Sequence, residues 1–273
     1  MAPNGHPADE RFLPELGRKT VTVSRDFIDG IAFLGETCVT TVSALLRPST
    51  VRWADVLHIL RRAGADGFPI VARVSFIMGS IIAFMSSLQL KQFGAQIYVA
   101  DLVAIAIVRE LSPIMTAILV AGRSGSAFAA EIGTMRVNEE IDALVVMGFE
   151  PIRFLVVPKV LAMLVIMPML TAYSDLFGIL GGLAVGVLRL DLTAASYLAE
   201  SRKVLSIFSV MTSFAKTGVF ALLVSSIGCQ RGFRARGGAD AVGIATTSAV
   251  VTSIFMIIVA DAMIAVALQY IRQ

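Results

Sequence analysis

The sequence predicts an all-α integral membrane protein, an interfacial N-terminal helix followed by five membrane-spanning helices. Three observations predict it. Of the 273 residues, 56% are hydrophobic and only 16% charged, with a mean hydropathy of +0.81, whereas soluble domains carry about 25% charged residues. A soluble core of this length needs a charged shell that is missing here, so lipid covers part of the surface. The apolar residues gather in stretches of the ~20 residues that a helix needs to cross ~30 Å of hydrocarbon, or more. The Lys and Arg residues, which leave a net charge of +3, cluster briefly between those stretches, a pattern of membrane topology rather than of nucleic-acid binding.

Residues 1–26 read as a polar tail. They hold Asp9, Glu10, Arg11, Arg18, Lys19 and Arg25, without an apolar core that ends in a small-residue cleavage site. That argues against a cleaved signal peptide and for a cytoplasmic N-terminus. Over residues 27–46, Phe27, Ile31, Leu34, Cys38, Val42 and Leu45 recur at three- and four-residue spacing with Asp29, Glu36 and Thr40 between them. This is the pattern of an amphipathic helix in the membrane interface, the alternative being a helix packed on the rest of the protein. Pro48 ends it, because proline disfavours helical geometry in the residue before it. Residues 51–65, with Arg52, Arg61 and Arg62, follow as a short basic helix on the cytoplasmic side.

The spans are then about residues 71–90, 97–121, 154–188, 204–228 and 244–271. The third is ambiguous: residues 154–188 are long for one upright helix and short for two with a turn. One long span, tilted or kinked at Pro158 or Pro168, places the N-terminal region, residues 123–159 and residues 229–240 on the cytoplasmic side with most of the Lys and Arg. Lys91, Arg189, Arg202 and Lys203 then lie outside, as the positive-inside rule prefers. Two spans would put Arg231, Arg234 and Arg236 outside, so five spans in all are expected. Gly178, Gly182 and Gly186 fall on one face of the third span, a stripe for close helix packing within the chain or for a dimer seam.

Arg109 and Glu110 stand near the middle of the second span, where a lone charge costs several kcal/mol. Adjacent side chains point about 100° apart on a helix, so each needs partners other than its neighbour. Asp175, Lys216 and Asp261 in later spans supply opposite charges. Two readings stand side by side: a water-accessible cavity that handles a polar headgroup, and a buried ion-pair network that fixes helix register. A proton relay through such groups is a third.

Several chemistries find no residues to carry them. Cys38 and Cys229 are far apart, and His6 and His58 are the only histidines, which argues against a disulfide framework, a metal site or a Ser-His-Asp arrangement. Gly122 to Ser126 reads as a glycine-rich loop without the GxxxxGK[ST] pattern that holds phosphates. No enzymatic activity and no cofactor are expected on this chain.

The segment from Ala129 to Pro151 reads as one cytoplasmic helix carrying Glu131, Arg136, Glu139, Glu140 and Asp142 beside Ile132, Met135, Ile141, Leu144, Val145 and Met147, stopped by Gly148 and Pro151. A short amphipathic helix between two spans suits the groove of a cytoplasmic partner. Its acidic residues argue against rest on an anionic bilayer.

The run RELSPIMTAILVAGRSGSAFAAEIGTMRVNEEIDALVVMGFEPIRFLVVPKVLA, residues 109–162, closely resembles the MlaE/YrbE permeases, the membrane subunits of MCE-type ABC lipid transporters. The later runs GVFALLVSSIGCQRGF and GGADAVGIATTSAVV resemble the same family, and the likeness extends from about Phe27 to the C-terminus. The resemblance implies an interfacial helix and five spans in the bacterial inner membrane, and a homodimer. It further implies a cytoplasmic ATPase pair that binds ATP and Mg²⁺, an MCE-domain hexamer on the outer side and, in some assemblies, a STAS-domain protein. Phospholipid or a related hydrophobic lipid is the implied cargo. By the same resemblance, Arg109, Glu110, Lys216 and Asp261 border a lipid cavity walled by Leu102, Ile105 and Leu111, and Glu131, Arg136, Glu139, Glu140, Asp142, Met147 and Gly148 belong to a helix that couples to the ATPase.

Two other readings remain. A proton-coupled secondary transporter would use Glu110, Asp175 and Asp261 and need no ATPase. A non-transporting scaffold would anchor partners through residues 129–151 and use the intramembrane charges for packing alone.

Overall fold

Apolar runs that must sit in hydrocarbon leave the backbone one way to satisfy its N–H and C=O groups within a single segment, and that is the helix. A computed structural model of the protein describes residues 9–271, which are helical apart from short turns and include no strand. Six stretches are long and apolar enough to cross a membrane: Ile28–Leu46, Trp53–Lys91, Gln96–Val137, Ile152–Arg189, Ile207–Phe233 and Ala239–Tyr270. The protein is an all-α integral membrane protein.

Helix α1 runs Asp9–Leu46, so helix begins well inside the segment read as a tail. Helix α2, Trp53–Lys91, corrects the expectation of a short basic helix followed by a separate span. The two are one helix that continues through Pro69. A proline forfeits one hydrogen bond, and packing of Gly64 on Ile166 and Gly67 on Leu170 holds the segment helical across that loss.

The next helical stretch comprises α3 (Val99–Ala106), α4 (Ser112–Val120) and α5 (Ser126–Val137), joined by the wide π turns Ile107–Leu111 and Ala121–Gly125. Gly122 to Ser126 is therefore helical rather than a loop. The expected single helix over residues 129–151 is also corrected. It divides at Asn138 and Glu139, the latter at φ 61, into the end of α5 and the short α6 (Glu140–Val146). The Asn-Glu-Glu run gives the chain polar groups to cap the corner: the Asn138 amide donates to Glu140 Oε1 at 3.1 Å, and Arg136 pairs with Asp142 across the turn. Gly148, at φ 81, ends α6 as expected, with its N–H on the Val145 carbonyl at 2.9 Å.

Helix α7, Val157–Arg189, follows a third π turn, Ile152–Val156, and is a single helix through Pro168, as the five-span reading requires. Helix α8 (Ala194–Val204) is a short, capped helix that the sequence reading missed, and α9 (Ile207–Phe233) and α10 (Ala239–Ile271) complete the chain. The long helices alternate in direction, so α6, the start of α7, the end of α9 and the start of α10 gather at one end of the bundle. The turn after α2 and helix α8 gather at the other.

Glycines set the closest seams. A Cβ on Gly79 would fall onto the Gly178 carbonyl, and one on Gly181 onto the Phe76 carbonyl, so α2 and α7 touch backbone to backbone. Gly182 and Gly186 face Tyr197 of α8. The Gly178-Gly182-Gly186 stripe is thus consumed by packing within the chain.

Helix α1 lies along the α6 end. Phe33 packs on Phe233 at 6.0 Å, Arg234 pairs with Asp26 at 2.8 Å and Asp29 at 2.9 Å, and Ala44 packs with Val56 and Val157. These contacts touch the end of α9 and the starts of α2 and α7, all at the same end of the bundle.

Candidate functional site

The wide turn at Ile107–Leu111 carries Arg109 and Glu110. A π turn inserts one residue into the helix and displaces carbonyls from the regular ladder, and such turns are common at functional sites. The Arg109 carbonyl lacks its regular helical donor because residue 113 is a proline, and Lys216 on the facing α9 takes the place of that donor. It is 2% exposed, and its Nζ donates to Glu110 Oε2 at 2.6 Å and to the Arg109 carbonyl at 3.2 Å. Asp261 Oδ1 on α10 lies 3.0 Å from the same nitrogen, an ion pair off the hydrogen-bond axis. Two of the lysine's three N–H donors are thus met by a carboxylate and a carbonyl, and Asp261 adds a second negative charge beside it.

Three of the five charged residues singled out within the spans therefore meet. Glu110 and Asp261 differ in setting: Glu110 is 43% exposed at the surface of the chain, Asp261 14%. The fourth, Arg109, contributes its backbone. Among the described residues no carboxylate lies within ion-pair distance of its guanidinium, which is only partly buried. At 1.5 Å per residue Lys216 sits about 14 Å from the first residue of α9, well inside the membrane-crossing stretch.

The apolar residues read as cavity wall separate. Leu102 is exposed and Ile105 half-buried, on the outer side of α3, whereas Leu111 packs inward against the cluster of Val103 and Ile107. Asp175 belongs elsewhere. It neighbours Ser112, which accepts from Ser174 at 3.0 Å, and Ser174 shares a 2.7 Å hydrogen bond with Ser75. Among the described residues no side-chain hydrogen bond joins this hydroxyl group to the Lys216 cluster.

The other candidate region is the α6 end. Val146 is 89% exposed, and Val145, Met147 and Phe149 stand out beside it, an apolar knob on a short helix. Arg136 and Asp142 hold the corner that presents it, with Glu139 and Glu140 exposed alongside. Glu131 does not join them. Its carboxylate takes a hydrogen bond of 2.8 Å from Lys159, whose side chain is 4% exposed and stacks its ammonium over Phe128. Lys159 was missed in the sequence, although a lone lysine at the start of a long apolar stretch is a signal that it needs a partner.

Residues 56–267 match the family model described as Permease MlaE. A probable ABC transporter permease protein of Rickettsia conorii is 35% identical over 249 residues, 91% of this chain and 94% of the relative. A probable ABC transporter permease protein of Synechocystis is 34% identical over 207 residues, 76% of this chain and 79% of the relative. The Arabidopsis thaliana protein named TRIGALACTOSYLDIACYLGLYCEROL 1, chloroplastic, is 33% identical over 211 residues, 77% of this chain and 60% of the relative.

Proposed function

The chain belongs to the MlaE permease family, and from that premise we propose that it is the membrane subunit of an ABC transporter that moves phospholipid, or a related hydrophobic lipid, between the inner membrane and the outer envelope. The observation that carries this reading is the half-exposed Glu110 beside the unpaired Arg109, deep in a membrane-crossing stretch. Charges at that depth facing hydrocarbon cost several kcal/mol, so water, a ligand headgroup or another protein chain covers them. A second copy of the chain supplies that cover and encloses a cavity whose charged floor is Arg109, Glu110, Lys216 and Asp261. Leu102 and Ile105 offer apolar wall for acyl chains, and Leu111 supports the floor from behind. The name of the Arabidopsis relative, which contains a galactolipid, is consistent with a lipid cargo.

Helix α1 lies in the interface and five helices cross. The α6 end faces the cytoplasm, because Arg52, Arg61, Arg62, Arg123, Arg136, Arg153, Lys159, Arg231, Arg234 and Arg236 are at that end and, among the described residues, Lys91, Arg189, Arg202 and Lys203 are at the other. The Val145-to-Phe149 knob then docks into a cytoplasmic ATPase that binds ATP and Mg²⁺, while an MCE-domain hexamer receives or delivers lipid outside and a STAS-domain protein joins some assemblies. ATP binding closes the ATPase pair, and the rotation of α6 narrows the cavity. Nucleotide drives this only if the narrowed state binds it more tightly.

The test is Glu110→Ala in the reconstituted assembly, read as transfer of labelled phospholipid between vesicles. Transfer falls at least about tenfold while the dimer persists on size exclusion. Unchanged transfer sinks the cavity role. The proton-coupled alternative has less to carry it, since among the described residues no side-chain hydrogen bond links the group around Asp175 to Glu110 and Asp261.

A further inference from the structure

Away from the Lys216 cluster, α1, α9 and α10 enclose an open cleft of about 290 Å³ at the α6 end of the bundle. Its lining changes character along its length. Gln230 and Arg231 near the end of α9, with Asp26 and Thr252, form its polar part, and Leu223, Ile227 and Met256, further along α9 and α10, form with Leu34 of α1 its apolar part. A cleft of this size is near the lower bound of small-molecule sites, enough for part of one acyl chain and the base of a headgroup, and too small for a whole lipid.

The charges at its polar end do not cancel. Asp26 and Asp29 are both taken by Arg234, and the Asp29 carbonyl accepts from Gln230 at 3.0 Å. These bonds clasp α1 against α9 and form a fixed wall. Arg231 is left over: one nitrogen donates to Thr252 Oγ1 at 3.2 Å, its Nε is buried without a hydrogen-bond partner, and among the described residues no carboxylate is within ion-pair distance. A guanidinium with a buried, unsatisfied N–H calls for an anionic oxygen acceptor.

We propose that this cleft binds an anionic phospholipid of the adjoining leaflet, its phosphate on Arg231 and one acyl chain against Ile227, Leu34 and Met256. The lipid completes the contact between α1 and the bundle, so the site acts as a lipid-dependent clamp on the N-terminal helix rather than as part of the transport cavity. It does not depend on what the Lys216 cluster carries.

The experiment uses the full chain in phosphatidylcholine nanodiscs doped with a trace of photoreactive lipid, diazirine in the acyl chain, carried either by phosphatidylglycerol or by phosphatidylcholine. Cross-linked peptides are mapped by mass spectrometry. Phosphatidylglycerol should label the peptides containing Leu34, Ile227 and Met256 about fivefold more than phosphatidylcholine, the preference that one basic side chain near an anionic headgroup confers. Arg231→Gln should abolish the preference, and Arg231→Lys should retain most of it, which separates loss of charge from loss of fold. Equal labelling by the two lipids, or a preference that survives Arg231→Gln, overturns the proposal and makes the cleft ordinary lipid-facing surface. Exclusion of both lipids in favour of a cross-link to a second chain also overturns it and makes the cleft a protein contact.

Discussion

Replacing Lys216 by Met tests the charged cluster most directly, because the side chains are close in length and only the ammonium is lost. Glu110 and Asp261 oxygens both lie within 3.0 Å of that nitrogen, so they are at most about 6 Å apart. Without it they repel by about 3 kcal/mol at an effective dielectric of ~20, and the more buried Asp261 also loses its counter-charge. Removing one partner of a buried pair typically costs ~3–5 kcal/mol. Partial exposure of Glu110 places the expected loss toward the lower end. At roughly 2–4 °C per kcal/mol for a chain of this size, the apparent melting temperature should fall by about 6–12 °C. The assay is built in: Cys229 is fully buried, so in a Cys38→Ser background a thiol-reactive dye reports its exposure on heating in detergent at a fixed scan rate. Adding Asp261→Asn should recover a large part of the loss, since it removes the orphaned charge, whereas Glu110→Gln alone should cost less than about 1 kcal/mol. A Lys216→Met protein that melts within 2 °C of the parent, or a double variant that recovers nothing, would refute the reasoning, with 2 °C corresponding to roughly 1 kcal/mol or less.

Four further outcomes are expected. Gly79→Ala drives a methyl onto the Gly178 carbonyl and should destabilise by about 3 kcal/mol or more in the same dye assay. Gly122→Ala, with no atom within 4 Å of the added carbon, should be neutral or stabilising. Val146→Asp at the tip of α6 should leave melting unchanged within about 0.5 kcal/mol yet prevent co-purification of an ATPase. Tyr197, buried on α8, has its phenol pushed above the usual value by burial, and its hydroxyl finds no partner. A raised folded-state pKa contributes stability that is present below about pH 10, where the unfolded phenol titrates, and is lost as pH rises beyond it. Melting of the parent should therefore fall more steeply above about pH 10 than that of Tyr197→Phe, while the two melt alike near pH 7.

Long apolar stretches were enough to locate the long helices among the described residues. The single course of α7 followed from keeping Arg231, Arg234 and Arg236 with the other basic residues, and it held through Pro168. Helix limits were less legible where the physics is tertiary. Pro69 marks a break in sequence, but the glycines of α2 seat it so closely on Ile166 and Leu170 that the helix continues. Glu139 marks no break, yet its left-handed backbone turns the chain, because Arg136 and Asn138 find partners only across that corner. Helix α8 is short and polar and has no apolar run of membrane-crossing length, although Thr193 caps it through the Ser196 N–H at 3.2 Å.

The charged cluster shows the same division. Composition could say that Arg109, Glu110, Lys216 and Asp261 need partners, and helical geometry could say that adjacent residues do not serve one another. Neither placed the backbone in the cluster, although Pro113 was a signal for it. In a regular helix residue 113 would donate to the Arg109 carbonyl, and a proline has no N–H to give. The carbonyl accepts from Lys216 instead, so the lysine is held by Glu110, Asp261 and the backbone together. The Arg109 guanidinium consequently need not neutralise Glu110 and keeps its N–H donors for groups beyond the chain. A network built only to fix helix register would consume all of its charges. Among the described residues this one leaves an arginine without a carboxylate partner in a membrane-crossing stretch, and such a guanidinium calls for an acceptor from water, a headgroup or a second chain, as the proposed lipid cavity would supply.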